Sequence, residues 1–260
     1  MFKSHQLKYL LAAVPTVPLL PILLGQAIRI KRSVPKLPPA EGPHGLVRRD
    51  KSHKVRQVVF LGESTVAGIG VRTHKEGFAG TLAIELATLQ GCNVEWNVYA
   101  RSGYTAKQVR KLLVPAIKET TIDLLVIGLG GNDAFGLHSP ARWKRDVVAL
   151  IRELRERFPD TPIVFSNMPP IKIFPAFTPL MKQTVGNLVE LLGDTLARVV
   201  AEFPNVYYNS ERIQLDVWQE RHGVSDDVAA YFSDGVHPSL ITYQIWARDM
   251  AGFIASEIRI

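Results

Sequence analysis

A serine hydroxyl follows the first buried strand that the sequence predicts. Residues 55–62, VRQVVFLG, form an apolar run, and Ser64 comes two residues later in the segment GEST. In a turn after a strand, a serine exposes its hydroxyl and its own N–H, which suits a nucleophile that also donates to an oxyanion. A serine there can equally be a helix N-cap. Position 66 is Val, which excludes a G-x-S-x-G elbow, and no G-K-[ST] follows, which excludes a P-loop.

A carboxylate and an imidazole stand three residues apart near the C-terminus. They are Asp234 and His237, in the segment DGVHP that precedes a predicted helix. This spacing across a turn lets the carboxylate reach one ring nitrogen and fix the tautomer, while the other nitrogen faces outward as a general base. The alternative is that Asp234 caps the helix.

Two further turns carry groups that can bind a developing negative charge. Gly103 follows a predicted strand over 93–100 and would let the backbone approach a ligand closely. Asn132 follows a predicted strand over 122–130 and offers its side-chain amide as a donor. Each is also an ordinary turn signal when taken singly, so their order along the chain matters more than either residue.

Short apolar runs alternate with longer amphipathic ones from residue 55 onward. Strands are predicted over 55–62, 93–100, 122–130, 162–167 and 205–209, and helices over 78–91, 105–114, 139–158, 178–203 and after residue 238. This alternation predicts a three-layer α/β/α sandwich around a five-stranded parallel sheet. In such sheets, functional groups gather beyond the carboxyl ends of the strands. Ser64, Gly103 and Asn132 are all expected at that edge.

Four stretches in this order resemble the SGNH, or GDSL-like, hydrolase family. They are VVFLGESTVAG, ARSGYTAKQV, VIGLGGNDAF and FSDGVHPS, and the resemblance spans residues 55–255. It implies the flavodoxin-like SGNH hydrolase fold, with Ser64 as nucleophile, His237 as base and later acid, and Asp234 orienting His237. It also implies an oxyanion hole made by the N–H groups of Ser64 and Gly103 and the side chain of Asn132.

One residue departs from the family's pattern. Glu63 stands where the usual residue before the serine is Asp. Because no catalytic role is assigned to that position, we expect the change to affect loop packing more than activity. Asp133 is expected to brace its own turn, and His74 and His138 are expected in polar loops without a partner carboxylate.

The resemblance implies a serine esterase that works through an acyl-enzyme on Ser64. The apolar loop over 168–177 is expected to line an acyl pocket, which favours lipid or acyl esters of the lysophospholipase or lipase type. A packed cover over the sheet edge is the alternative for this loop. Its candidate substrate-binding residues are Ile171, Ile173, Phe174 and Phe177. Three alternatives for the function remain: an acyltransferase, a carbohydrate deacetylase, and an inactive membrane-tethered binding protein.

Charge and cysteine content exclude several other classes. The chain of 260 residues carries a net charge of +7, but residues 1–56 contribute +9 and residues 57–260 contribute −2. A nucleic-acid partner is therefore not expected, because its surface would need basic residues spread over the folded body. The single Cys92 excludes an internal disulfide and a cysteine zinc site, and no metal or cofactor is expected.

The N-terminus is predicted to associate with a membrane. Residues 9–28 are uncharged and mostly aliphatic, with basic residues on both sides. We divide the chain into a membrane-associating segment over 1–32, a linker over 33–54 and a hydrolase domain over 55–260, with residues 1–36 as the membrane contact. Prolines at 15, 18 and 21 argue against a straight spanning helix and favour an interfacial segment. An uncleaved anchor, export with cleavage near Ala27, and a terminus packed against the body remain alternatives.

Overall fold

Six strands form one sheet within the residues that the structure describes. The structure is a computed structural model that describes residues 18–50, 54–223 and 227–260. In chain order the strands are β1 His44–Val47, β2 Val55–Gly62, β3 Asn93–Ala100, β4 Leu124–Gly128, β5 Ile163–Phe165 and β6 Val206–Tyr208. Their order in the sheet is β1-β3-β2-β4-β5-β6, with β1 antiparallel to β3 and the other neighbours parallel. The five parallel strands have the 2-1-3-4-5 order of flavodoxin-like sheets, which confirms the predicted fold class.

The extra strand β1 corrects two predictions, the five-stranded sheet and the linker over 33–54. β1 pairs with β3, and Gly45 lies so close to the Trp96 ring that a Cβ would come within 2.5 Å of it. Just before β1, the Ala40 N–H donates to the Ala67 carbonyl at 3.0 Å. A strand of four residues inside a Pro- and Gly-rich stretch is too short to show a two-residue hydrophobic period. Composition therefore indicated a linker where the chain packs on the body.

Helices cover both faces of the sheet. In chain order they are α1 Leu20–Ser33, α2 Phe78–Gln90, α3 Ala106–Gln108, α4 Gly131–Phe135, α5 Pro140–Arg157, α6 Pro179–Val200, α7 Leu215–His222 and α8 Leu240–Glu257. Short 3-10 turns lie at Ile171–Ile173 and Val228–Tyr231. The predicted helix over 105–114 is interrupted, because α3 passes into a π-helical turn at Val109–Leu113 and a 3-10 turn at Val114–Ala116. Ser139 is the N-cap of α5, since its Oγ accepts from Arg142 N–H at 3.3 Å.

Two apolar cores lie on opposite faces of the sheet. Alternate residues of β2 show the division: Phe60 packs with α2 and α8, whereas Leu61 packs with α5 and α6. Because both faces are covered, the central strands are apolar without alternation, as their sequences predicted. The helices thus hold the carboxyl ends of β2, β3 and β4 side by side.

The helix α1 packs against the body of the protein. Residues 9–17, the first part of the apolar stretch that was predicted to associate with a membrane, lie outside the described residues. Leu23 is buried in the core that contains α6, and Gln26 Oε1 accepts from Thr178 Oγ1 at 2.7 Å. Pro21 occupies the first turn of α1, where its missing N–H costs no helical bond. Among the described residues, no helix combines the length and the apolar character that crossing a membrane requires.

Candidate active site

Ser64 lies in a tight loop at the carboxyl end of β2. No helix starts at Ser64; the chain makes successive turns, and α2 begins only at Phe78, which rules out the N-cap interpretation. The loop closes through a hydrogen bond from Ile69 N–H to the Ser64 carbonyl at 3.1 Å. Within the described residues, neither the hydroxyl nor the N–H of Ser64 has a hydrogen-bond partner. Both groups are thus available for a reacting molecule.

Asp234 and His237 form a hydrogen-bonded pair. Asp234 Oδ2 lies 2.7 Å from His237 Nδ1, while Asp234 Oδ1 accepts from the backbone N–H groups of Val236 at 2.9 Å and His237 at 2.7 Å. The carboxylate is fully buried, and the imidazole is 20% exposed. With Nδ1 engaged, Nε2 remains to take a proton. This geometry is that of a general base held by its carboxylate, and the catalytic role stays a prediction.

The serine loop and the histidine loop pack directly on each other. Gly70, at φ +104°, is so close to the Pro238 carbonyl that a Cβ would come within 2.6 Å of that oxygen. Tyr243 Oη donates to the Ile69 carbonyl at 2.9 Å. Between Ser64 Oγ and His237, both described residues, the structure has no hydrogen bond. Such bonds are commonly long in the free enzyme and shorten when substrate binds.

Gly103 presents a backbone donor after β3. Its φ of +86° is in the left-handed region, and an added Cβ would meet no atom within 4 Å. The turn closes through Tyr104 N–H, which donates to the Arg101 carbonyl at 3.3 Å, so the Gly103 N–H is left without a partner among the residues described. Together with the Ser64 N–H, it is available as a candidate donor for an oxyanion, and that role stays a prediction.

Asn132 is held by a residue that the sequence analysis assigned to loop packing alone. The buried carboxylate of Glu63 accepts from Gly131 N–H at 2.8 Å and from Asn132 N–H at 3.0 Å. Asn132 Nδ2 donates to Glu63 Oε2 and to the Tyr104 carbonyl, the latter at 3.2 Å. Both amide hydrogens of Asn132 are thus engaged. An oxyanion at this place has to share or replace one of those bonds.

Burial also changes the acid strength of Glu63. It raises the pKa of the carboxyl from 4.5 to about 7, although the backbone donors of Asn132 and Gly131 act in the opposite direction. Glu63 therefore contacts the predicted oxyanion donor directly and carries a proton more readily than a surface carboxylate. No sequence signal other than its departure from the family's usual Asp pointed to this position.

A second carboxylate and histidine pair supports the same loop. Asp133 Oδ1 lies 2.7 Å from His138 Nδ1, and Asp133 Oδ2 accepts from Ala106 N–H at 2.9 Å. The expectation that His138 has no partner carboxylate is wrong, because α4 turns the chain back and brings together two residues that are five positions apart. His74 is likewise buried rather than in a polar loop, and burial lowers its pKa to about 4. Asp133 braces two loops, not its own turn alone.

A groove of about 660 Å³ is lined by His237 and Asn132. Its polar lining residues are Ser102, Asn132, His237 and Lys36, and the rest of the lining is apolar. We call it the α1 groove, because it is bounded on one side by residues of α1. Its apolar lining residues are Leu20, Leu23, Leu24, Ala27, Ile30, Val34, Pro35, Leu37, Ile69, Phe135, Leu137, Phe177, Met181, Val185 and Val236.

The four predicted substrate-binding residues are distributed over different places. Phe177 lines the α1 groove. Ile173 and Phe174 line a separate hollow of about 60 Å³ that Glu63 also lines. Ile171 is fully buried and, with Ile173, lines a third cavity of about 320 Å³ that has both polar and apolar walls. Among the described residues, no cluster of three His, Cys, Asp or Glu side chains could hold a metal ion.

Several solved structures share the fold of this chain. Structures similar to this chain include TesA, at 19% identity and TM-score 0.58 over 78% of this chain and 98% of that one. A phospholipase A1 from Streptomyces albidoflavus matches at 15% identity and TM-score 0.54 over 76% and 98%. A family two carbohydrate esterase from Clostridium thermocellum, in complex with cellohexaose, matches at 18% identity and TM-score 0.54 over 82% and 67%. At these identities the likeness concerns the fold.

The sequence itself matches a family model. None of the curated proteins matches this chain. The model of the GDSL-like Lipase/Acylhydrolase family matches residues 60–245, which include both the serine loop and the Asp-x-x-His segment. The chain is therefore a hydrolase that belongs to the GDSL-like lipase/acylhydrolase family.

Proposed function

We propose that this protein is a serine esterase that hydrolyses esters of apolar acyl groups. Ser64 Oγ attacks the ester carbonyl while His237 takes the hydroxyl proton. The tetrahedral intermediate collapses, the bond to the leaving alcohol breaks, and His237 returns the proton to that alcohol. Water, deprotonated by His237, then attacks the acyl-enzyme, and the acid leaves as Ser64 regains its proton.

The composition of the α1 groove carries the proposal about substrate. A groove of about 660 Å³ that contains His237 and Asn132 and is otherwise mostly apolar favours a substrate with an apolar acyl group. A sugar would need several polar partners along its length, since buried hydroxyls without hydrogen bonds lose affinity. The groove thus favours lipase-like or lysophospholipase-like chemistry over carbohydrate deacetylation.

Labelling by a fluorophosphonate probe tests the nucleophile. We expect the full chain to be labelled and the Ser64→Ala variant to remain unlabelled and inactive on aryl esters. Ser256→Ala, which removes an exposed hydroxyl at the end of α8, is the matched control and should label like the parent. Equal labelling of Ser64→Ala and the parent would refute the mechanism. Product analysis with added alcohol separates hydrolysis from acyl transfer.

We also propose that residues 1–36 bring the enzyme to a membrane surface. The support is the charge of the segment, with Arg29, Arg32 and Lys36 exposed on and just after α1. Sedimentation with vesicles should show binding to anionic vesicles that weakens with salt, and none to zwitterionic ones. The variant with all three residues changed to Gln should lose that binding. Export with cleavage near Ala27 would instead appear as a shortened chain in the intact mass.

A further inference from the structure

The helix α1 contributes to the groove although it lies outside the matched family region. The family model covers residues 60–245, whereas α1 spans Leu20–Ser33. Residues of α1 nevertheless line the groove that contains His237 and Asn132. The catalytic residues and this wall of the groove thus come from separate parts of the chain.

The helix is docked by its own side chains. Leu23 is 6% exposed and belongs to the core that α5 and α6 share, and Ile30 packs against the same core. The hydrogen bond from Thr178 Oγ1 to Gln26 Oε1 joins α1 to the start of α6. These contacts hold α1 against the body of the protein and determine which face of the helix lines the groove.

The groove face of α1 is aliphatic and only partly covered. Leu20, Leu24 and Ala27 line the groove at a spacing of four and three residues, which places them on one face of a helix. Leu24 is 64% exposed. Ile22 and Ile28 are also exposed, at 53% and 45%, but do not line the groove. The helix therefore carries matched aliphatic residues inside and outside the groove.

Apolar surface faces apolar surface across this gap. Phe135, Phe177 and Met181 line the groove from the body of the protein. An acyl chain inserted between them and α1 would remove both surfaces from water without burying an unpaired polar group. Each methylene that enters such a gap improves binding about fourfold.

We propose that α1 is the wall that selects acyl-chain length, and that the acyl chain of a substrate bound at Ser64 runs between α1 and the body. This inference rests on the proposed esterase function. It assigns a specificity role to residues 20–30, beyond the catalytic residues. The ligand is a long unbranched acyl chain, because the only polar residues that line the groove are Lys36, Ser102, Asn132 and His237.

A bulky substitution inside the groove, matched by one outside it, tests the proposal. The substitutions are Ala27→Trp and Ile28→Trp, both at exposed positions of α1. The measurement is kcat/KM for acetyl, hexanoyl and dodecanoyl aryl esters below the concentration at which they aggregate. We expect the ratio of dodecanoyl to acetyl turnover to fall about tenfold or more in Ala27→Trp, the loss of roughly two buried methylenes. In Ile28→Trp the ratio should stay within about twofold of the parent.

A second pair covers the case in which a tryptophan disturbs folding. Leu24→Ala should lower the same ratio, whereas Ile22→Ala should not, and thermal unfolding checks that both remain folded. Equal ratios in the inside and outside variants would overturn the role of α1 while leaving the esterase intact. The Ser64→Ala variant separates the test of α1 from the test of the esterase function. We expect it to lose all hydrolysis, and hydrolysis that survives this substitution would refute the proposed function.

Discussion

The base side and the oxyanion side of the site are built in different ways. On the base side, Asp234 and His237 lie three residues apart, and one carboxylate holds both the imidazole and the backbone of the turn. On the oxyanion side, the candidate donors follow three different strands, and Asn132 is held through the buried Glu63. A local turn is enough to orient the base. The positions of the candidate oxyanion donors depend on the packing of the whole sheet edge. Substitutions on the two sides should therefore differ in their effects on rate and on stability.

The largest effect is expected on the base side, from Asp234→Asn. The single amide oxygen stays with the backbone N–H groups of Val236 and His237, so the NH₂ group faces Nδ1 and donates to it. The imidazole proton then moves to Nε2, and the imidazole has the wrong tautomer for a base. We expect kcat for an aryl ester to fall by about 10⁴-fold. Asp216→Asn, at an exposed position in the first turn of α7, should leave kcat unchanged. Parent-like turnover in Asp234→Asn would remove Asp234 from the mechanism.

On the oxyanion side, Asn132→Ala should have a smaller effect on rate. It removes one donor to the developing charge and leaves the N–H groups of Ser64 and Gly103 in place. The expected loss is about 10²–10³ in kcat with little change in KM. Asn187→Ala, exposed on α6, is the control. A variant that hydrolyses the ester at the parent rate would show that Asn132 is not an oxyanion donor.

The same contrast explains which parts of the site the sequence predicted. Asp234 and His237 lie within one four-residue turn, so their spacing in the sequence was enough to predict the hydrogen bond between them. Glu63 reaches Asn132 across 69 positions of chain, and no local pattern contains that contact. His138 was misjudged for a related reason, because its partner Asp133 becomes a neighbour only when α4 forms. Five strands were predicted from buried apolar runs, whereas β1 is half exposed and gave no such run.

The oxyanion side should also carry a pH-dependent part of stability. The folded protein keeps the proton of Glu63 up to about pH 7, whereas the unfolded chain releases it near pH 4.5. The folded state binds the extra proton between these values, so the free energy of unfolding falls as pH rises through this window, by about 3 kcal/mol. Glu63→Gln removes this slope. Its NH₂ group also meets the N–H donors of Asn132, which costs about 1–3 kcal/mol at pH 5.

Urea unfolding between pH 4.5 and 8 measures both effects. Glu220→Gln, at an exposed position of α7, should keep the slope of the parent. A slope in Glu63→Gln equal to that of the parent would mean that the buried carboxyl is ionised throughout the range.

The smallest effect concerns the backbone of the oxyanion side. Gly103→Ala forces an alanine to φ +86° with open space around its Cβ, so backbone strain alone acts, and we expect a loss of about 1 kcal/mol. Gly252→Ala, at an exposed position within α8, should instead stabilise the protein by about 0.8 kcal/mol, because alanine favours helix. Thermal unfolding compares the two. A stabilising Gly103→Ala would contradict the left-handed turn.

The short strand β1 has a consequence for how this domain can be shortened. It occupies the outer edge of β3 and covers Trp96 with Gly45. A chain begun at Val55 would keep the candidate catalytic residues but expose to solvent the N–H and C=O groups of β3 that pair with β1. Unpaired strand edges recruit other strands, so such a fragment would be prone to self-association. The folded unit thus begins no later than β1, ahead of the four sequence motifs.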